Sequence, residues 1–176
     1  MTSEPRQRRK LNMKIPRIAI IGAGVAGLAC ARRLRSAGMA VGLFDKARRA
    51  GGRMASRPLH LTTGTTLLDH GAQYFTARTP DFRALCSEAL TAGVIAPWTG
   101  ELRDERTGAQ AAHDDNDRYR GTPDMNALPR WLARGLSLQC HAAVQGLHRE
   151  STGWSLEIAD RPAAGGVRGG NRGPTR

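Results

Sequence analysis

Apolar positions along the chain change period several times, and each change marks an element. The run "IAII", Ile18 to Ile21, is apolar throughout and reads as a strand. Beyond a glycine-rich turn, Leu28, Ala31 and Leu34 recur near helical spacing, with Gly38 as a stop signal. A second strand-like run, "AVGLF" (Ala40 to Phe44), ends at Asp45. Strand, turn, helix and strand in this order predict a βαβ opening. Further along, "PDFRALCSEALTAGVIAPW" (Pro80 to Trp98) has Phe82, Leu85, Ala89 and Leu90 at helical spacing, with Gly93 after the last turn. The stretch "RYRGTPDMNALPRWLARGL" reads as a loop followed by a second helix. From Ser137 the pattern shifts to short extended runs, "LSLQCHAAVQGLHRE" and then "GWSLEIA".

The turn after the first strand carries Gly22, Gly24 and Gly27 as G-x-G-x-x-G. Gly22 permits the tight turn, Gly24 lets the backbone approach a pyrophosphate, and Gly27 allows close helix–strand packing. The helix N-terminus offers unpaired N–H groups and the positive end of its dipole to phosphates. Asp45, about twenty residues on, suits a ribose hydroxyl. The same region, with its basic lead "PRQRRK", superficially matches a secretory signal. A signal needs none of these glycines, and Arg32 and Arg33 break the apolar stretch short of the ~20 residues needed to cross a bilayer.

Charge adds less than its total suggests. The 176 residues carry a net +12, but residues 1 to 14 and 161 to 176 each supply +4, leaving the body at only +4. No basic helix with interleaved aromatics appears, so neither nucleic acid nor membrane is expected as a partner. The end, "RPAAGGVRGGNRGPTR", lacks apolar periodicity and is expected to be disordered. Met13 offers an alternative start. Cys30, Cys86 and Cys140 fit neither a disulfide framework nor a metal spacing, and buried free thiols in a reducing cytoplasm are expected.

Two further motifs follow Asp45. In "KARRAGGRMASRP", Gly51 and Gly52 allow a close backbone pass and Arg53 could place its guanidinium on a phosphate. In "LLDHGAQYFTAR" (Leu67 to Arg78), a strand-like entry leads to Asp69, His70, Gly71, Ala72, Gln73 and Tyr74. Taken together, the glycine turn, Asp45, "GGRMAS" and "DHGAQYF" resemble the FAD-dependent amine oxidase superfamily, and most closely its renalase-like bacterial branch. The resemblance covers about residues 15 to 160.

That resemblance implies an α/β, Rossmann-like FAD-binding domain with part of a substrate domain inserted. The implied boundaries are a basic flexible tail at 1–14, the first part of the FAD-binding domain at 15–76 and a partial substrate-domain segment at 77–136. Strands returning to the FAD-binding domain occupy 137–160, before the disordered tail at 161–176. The cofactor-binding positions it implies are Gly22, Gly24, Ala26, Gly27, Asp45, Gly52, Arg53, Gln73, Tyr74 and Val144. The backbone near Ala26 would hold the pyrophosphate, Arg53 would sit by the phosphates, and Gln73 and Tyr74 would pass the isoalloxazine ring. Val144 would meet the adenine through its backbone; an ordinary strand valine is the alternative. Asp124 stands where the family commonly has Gly.

The implied activity is hydride transfer from a reduced small-molecule substrate, an amine or a dihydronicotinamide isomer, to flavin N5, with reoxidation by dioxygen. No side-chain base is required and none is named; His70, with no third partner in sight, is read as structural or flavin-adjacent. Family members are about twice as long, so the chain reads as truncated after about Asp160. A NAD(P)-dependent dehydrogenase and a non-catalytic truncated fragment are the rival readings.

Overall fold

The computed structural model describes residues 18–100, 106–107 and 117–159. The expectations for the two tails and for a start at Met13 lie outside the described residues.

The opening βαβ unit forms as its pattern predicts. Strand β1 (Ile18–Ile21) leads through the glycine turn into α1 (Val25–Ser36) and back to β2 (Val41–Phe44), which pairs parallel to β1 with Ile18 opposite Val41. Helix α1 starts at Gly24 without a side-chain cap and carries Arg33 and Arg35 in its last turn, where cations favour the negative dipole end. It stops where expected: Gly38 adopts φ +80°, its N–H donates to the Arg35 carbonyl at 2.9 Å, and the Met39 N–H donates to Leu34 at 3.0 Å. This pair of bonds closes the helix end around a left-handed residue that glycine adopts without a Cβ penalty.

Two antiparallel strands follow a single 3-10 turn at Gly52–Met54. They are β3 (Ser56–Leu61) and β4 (Gly64–Asp69), whose register sets Ser56 opposite Asp69. Strand β5 (Phe75–Thr76) precedes α2 (Pro80–Thr91), which starts under a Thr79 cap with proline in its first turn and ends before Gly93 at φ +68°. Strands β6 (Ile95–Pro97) and β7 (Arg118–Gly121) complete a small antiparallel sheet in the order β5–β7–β6. The segment "RYRG", read as loop, is therefore the central strand of that sheet. Its arginines obscured the signal, while half-buried Tyr119 packs its ring 5.8 Å from that of Phe75.

Helix α3 (Ala127–Leu132) has Pro129 in its first turn, where no intrahelical N–H is needed. Strand β8 (Ser137–Gln139) then joins β2 in parallel, giving the sheet order β1–β2–β8. The hairpin of β9 (Val144–Glu150) and β10 (Gly153–Ile158) follows, with an irregularity between Glu157 and Ile158.

The core gathers Leu28 and Ala31 of α1, Leu43 of β2, Leu128 and Leu132 of α3, and Cys86 and Ala89 of α2. Helix α1 packs on β1, β2 and α3. The expectation of buried thiols needs correction at one position: Cys86 is buried and Cys140 half-buried, but Cys30 is exposed, because it lies on the side of α1 away from Leu28 and Ala31. Among the described residues no helix is long and apolar enough to cross a membrane.

Candidate functional site

The site is built where β1, β2 and β8 end. Gly22, at φ +103°, turns the chain sharply, and its N–H donates to the Phe44 carbonyl at 2.8 Å, joining the ends of β1 and β2. Asp45 sits at the centre of this junction. Its N–H donates to Gln139 at 2.9 Å, and its carbonyl accepts the Ala142 N–H at 2.8 Å. Its carboxylate accepts the Ala23 N–H at 2.6 Å and the Ala47 N–H at 2.7 Å. An ionised carboxylate has about four acceptor positions, so two remain after the donors among the described residues.

Close contacts exclude side chains at Gly27 and Gly52, and a bridge at Gly24 joins the two glycine motifs. A Cβ on Gly27 would strike the Gly22 carbonyl oxygen and lie 3.4 Å from Ile20 Cγ2. Gly24 pairs with Gly51 in an isolated parallel bridge, supported by the Gly51 N–H donating to Ala23 at 2.9 Å. Gly52, at φ +56°, passes so close that a Cβ there would lie 3.1 Å from Gly24 Cα. The first and second glycine motifs thus touch backbone to backbone. Beside them, the first-turn amides of α1, with exposed Ala26, have no partner four residues earlier inside the helix.

The remaining positions extend from this centre. Arg53 is exposed on the 3-10 turn, with no side-chain partner among the described residues, while its carbonyl accepts the Ala72 N–H at 2.8 Å. A Cβ on Gly71 would strike that same carbonyl, so the "GGR" and "DHGAQYF" segments also meet through backbone. Gln73 is exposed; Tyr74 is half-buried, its ring centroid 4.8 Å from that of Trp98, with the Arg118 guanidinium 5.9 Å away. Val144 is half-buried at the start of β9, two residues beyond the Ala142 amide that bonds Asp45.

His70 is exposed and has no side-chain partner among the described residues, which hold no cluster of three metal-ligating side chains. Burial, followed by the charge of Asp45, pushes the Cys140 thiol up. Burial first and Asp117 second push Cys86 up to about 11.

Sequence reasoning missed a polar cluster behind the glycine turns. Asp124, 2% exposed, receives the Arg130 guanidinium at 3.2 and 3.0 Å and the Asn126 N–H at 2.9 Å. The Ser56 hydroxyl lies 2.6 Å from Asp69 Oδ1 and 3.0 Å from Asp124 Oδ1, and Ser56 Oγ accepts the Asn126 N–H at 3.2 Å. The Met125 N–H also donates to Asp69, at 3.1 Å. Asn126 Nδ2 donates to the Ala50 carbonyl at 2.7 Å and fills the space a Cβ on Gly51 would need. The only available signal was Asp124 standing in place of a glycine.

A parallel sheet with a glycine turn at the carboxyl ends of its strands and an acid after the second strand defines a Rossmann-like, dinucleotide-binding α/β fold. Residues 20–89 match the profile of the NAD(P)-binding Rossmann-like domain. Among curated proteins, the carotenoid phi-ring synthase of Streptomyces griseus is 36% identical over 63 residues, which make up 36% of this chain and 12% of that protein. Among solved structures, 2,6-dihydroxypyridine-3-hydroxylase from Arthrobacter nicotinovorans superposes with a TM-score of 0.51 at 17% identity, covering 82% of this chain and 33% of that one. A putrescine oxidase redesigned in its cofactor binding gives 0.53 at 16% identity, covering 80% and 54%. A protein of Photorhabdus luminescens described as an FAD-containing monooxygenase gives 0.52 at 17% identity, covering 81% and 35%. The chain therefore spans less than two thirds of the length of each of these proteins.

Proposed function

We propose that this chain is the dinucleotide-binding part of an FAD-dependent oxidoreductase of amine oxidase or renalase type. The observation that carries the reading is the backbone contact between Gly24 and Gly52 beside the start of α1, a cradle that a side chain at Gly52 would fill. The cradle fits a pyrophosphate, which needs close backbone approach and unpaired amides more than side chains. Its link through Arg53 to the Gly71–Ala72 backbone supports a flavin beyond the phosphates. The likeness in fold to the FAD-containing protein of Photorhabdus luminescens supports it as well.

In this reading the amides near Ala26 and Gly27 hold the pyrophosphate, and the free acceptor positions of Asp45 take ribose hydroxyls. Arg53 reaches the phosphates with its exposed guanidinium, Gln73 and Tyr74 border the flavin, and the Val144 backbone meets the adenine. The chemistry supplied by bound FAD is hydride acceptance at N5 from a reduced amine or dihydronicotinamide isomer, with reoxidation by dioxygen. The protein's residues orient the cofactor and exclude water; no side chain is required as a base. Residues 77–136 contribute part of the substrate domain. The three thiols, none in a disulfide, fit a reducing cytoplasm.

A second reading, a nicotinamide dinucleotide in the same cradle, is favoured by the match of residues 20–89 to an NAD(P)-binding profile. Titration separates them. FAD added to the purified chain is expected to bind with a perturbed flavin absorption band, and Gly24→Val is expected to abolish binding by placing a branched side chain in the phosphate path. Tighter binding of NAD than of FAD would overturn the flavin assignment. Arg53→Ala is expected to weaken FAD roughly ten- to a hundredfold, as for loss of one charge-assisted contact, whereas Arg48→Ala and Arg49→Ala change little.

A further inference from the structure

The cluster behind the glycine turns reaches the peptide that joins Ala50 to Gly51. Asn126 is 4% exposed, and among the described residues its side chain makes one hydrogen bond, from Nδ2 to the carbonyl of Ala50. That carbonyl immediately precedes Gly51, the residue whose N–H reaches back to Ala23 in the first glycine turn. Asn126 is in turn held by its own N–H, which donates to Asp124 at 2.9 Å and to Ser56 at 3.2 Å. Asp124 is anchored from outside by Arg130, whose side chain is 45% exposed. The chain of contacts therefore runs from the surface at Arg130, through Asp124 and Asn126, to the peptide between Ala50 and Gly51.

We propose that Asp124 and Asn126 are positioning residues that clamp the Ala50–Gly52 turn against Gly24 and so hold the phosphate cradle open in its binding shape before any cofactor arrives. The proposal rests on the dinucleotide reading for its consequence, though not for its geometry. Gly51 is at φ +156°, and the Asn126 amide occupies the place its Cβ would take. The fit is mutual: glycine admits the clamp, and the clamp fixes a turn that glycine alone would leave conformationally free. Preorganisation of this kind raises affinity by removing the ordering cost at binding. The Asp124 carboxylate gives the Asn126 N–H a partner inside the protein, where burial denies it water.

Hydrogen–deuterium exchange on the cofactor-free chain, read at Gly51 and Met54, tests the clamp independently of any ligand. Loss of one hydrogen bond corresponds to about tenfold, so Asn126→Ala is expected to speed exchange at these amides about tenfold and to weaken FAD by a similar factor. The β9–β10 amides should be unaffected. Asp124→Asn keeps the Oδ1 acceptor for the Asn126 N–H and removes the Oδ2 acceptor that Arg130 uses, and is expected to retain protection that Asp124→Ala loses. Wild-type exchange in Asn126→Ala, a uniform rise at every amide, or equal loss in Asp124→Asn and Asp124→Ala would each overturn the clamp. If the wild-type chain binds no FAD, the flavin reading falls while the exchange result still decides the clamp.

Discussion

Gly27 admits no side chain, because a Cβ there would strike the Gly22 carbonyl oxygen with β1 directly behind it. Gly27→Ala must push α1 away from β1 and is expected to cost about 1–3 kcal/mol in urea unfolding. Gly24→Ala meets only an ordinary 3.9 Å contact with Gly52 and loses little beyond a preferred helix cap, less than about 1 kcal/mol. Equal losses at the two positions would show that packing is not what selects glycine there. Cys86 tests burial in another way. Its folded pKa is raised from 9.0 to about 11, so above pH 9 the unfolded thiol ionises while the folded one keeps its proton. The folded state is then favoured fully below pH 9 and loses on the order of 2 kcal/mol as pH rises to 11. Tyr119, raised by burial and then by Asp117, acts in the same direction. Cys86→Ala is expected to flatten the decline in urea-derived stability between pH 9 and 11; an unchanged slope would assign it elsewhere.

Elements differed in how plainly the chain announced them. The βαβ unit was legible because each part has a local physical requirement: a continuous apolar run, glycines at special dihedrals, helical spacing and an acid at the strand end. Helix α2 was legible for the same reason, from the helical spacing of Phe82, Leu85, Ala89 and Leu90 to Gly93 at its end. Strand β7 was not, because its partners β5 and β6 lie on either side of α2 and its alternating arginines resemble a solvated loop. Strand β3 was missed because Pro58 sits inside it, on a hairpin that leaves most of its side chains exposed. The Asp124–Asn126 cluster was illegible for a deeper reason: its contacts reach from the lead into α3 to β3 and β4, and only tertiary structure brings these together. The packing of α1 offers a direct test. Leu28 is fully buried against the sheet and α3, so Leu28→Ala is expected to cost about 2–5 kcal/mol. Leu67→Ser and Leu68→Ser, on the exposed hairpin, should each shift stability by less than about 0.5 kcal/mol.

Across the whole molecule, large apolar side chains remain in solvent on several sheets: Ile21 on β1, Leu59, Leu61, Leu67 and Leu68 on the β3–β4 hairpin, and Leu147 and Trp154 on the β9–β10 hairpin. Such surface favours self-association, and sedimentation is expected to show a mean mass rising with concentration, reduced by Leu61→Lys with Leu67→Lys. A constant monomer mass would show that these side chains are too dispersed to act together. The sheet order has a different consequence, one that concerns time. Gly42 of β2 pairs with Ala19 on one side and with Ser137 on the other. The first pairing closes a short loop, the second a very long one, and distant pairings pay their loop entropy before contacts repay it. During synthesis β1, α1 and β2 can associate early, whereas β8, which adds the third strand and seats the backbone around Asp45, emerges only after α2 and α3. Substitutions in β8 are therefore expected to speed unfolding while leaving the folding rate nearly unchanged, and those in α1 to slow folding. A chain stalled before residue 137 would carry the glycine turn intact and still lack the Gln139 and Ala142 contacts that steady its acid.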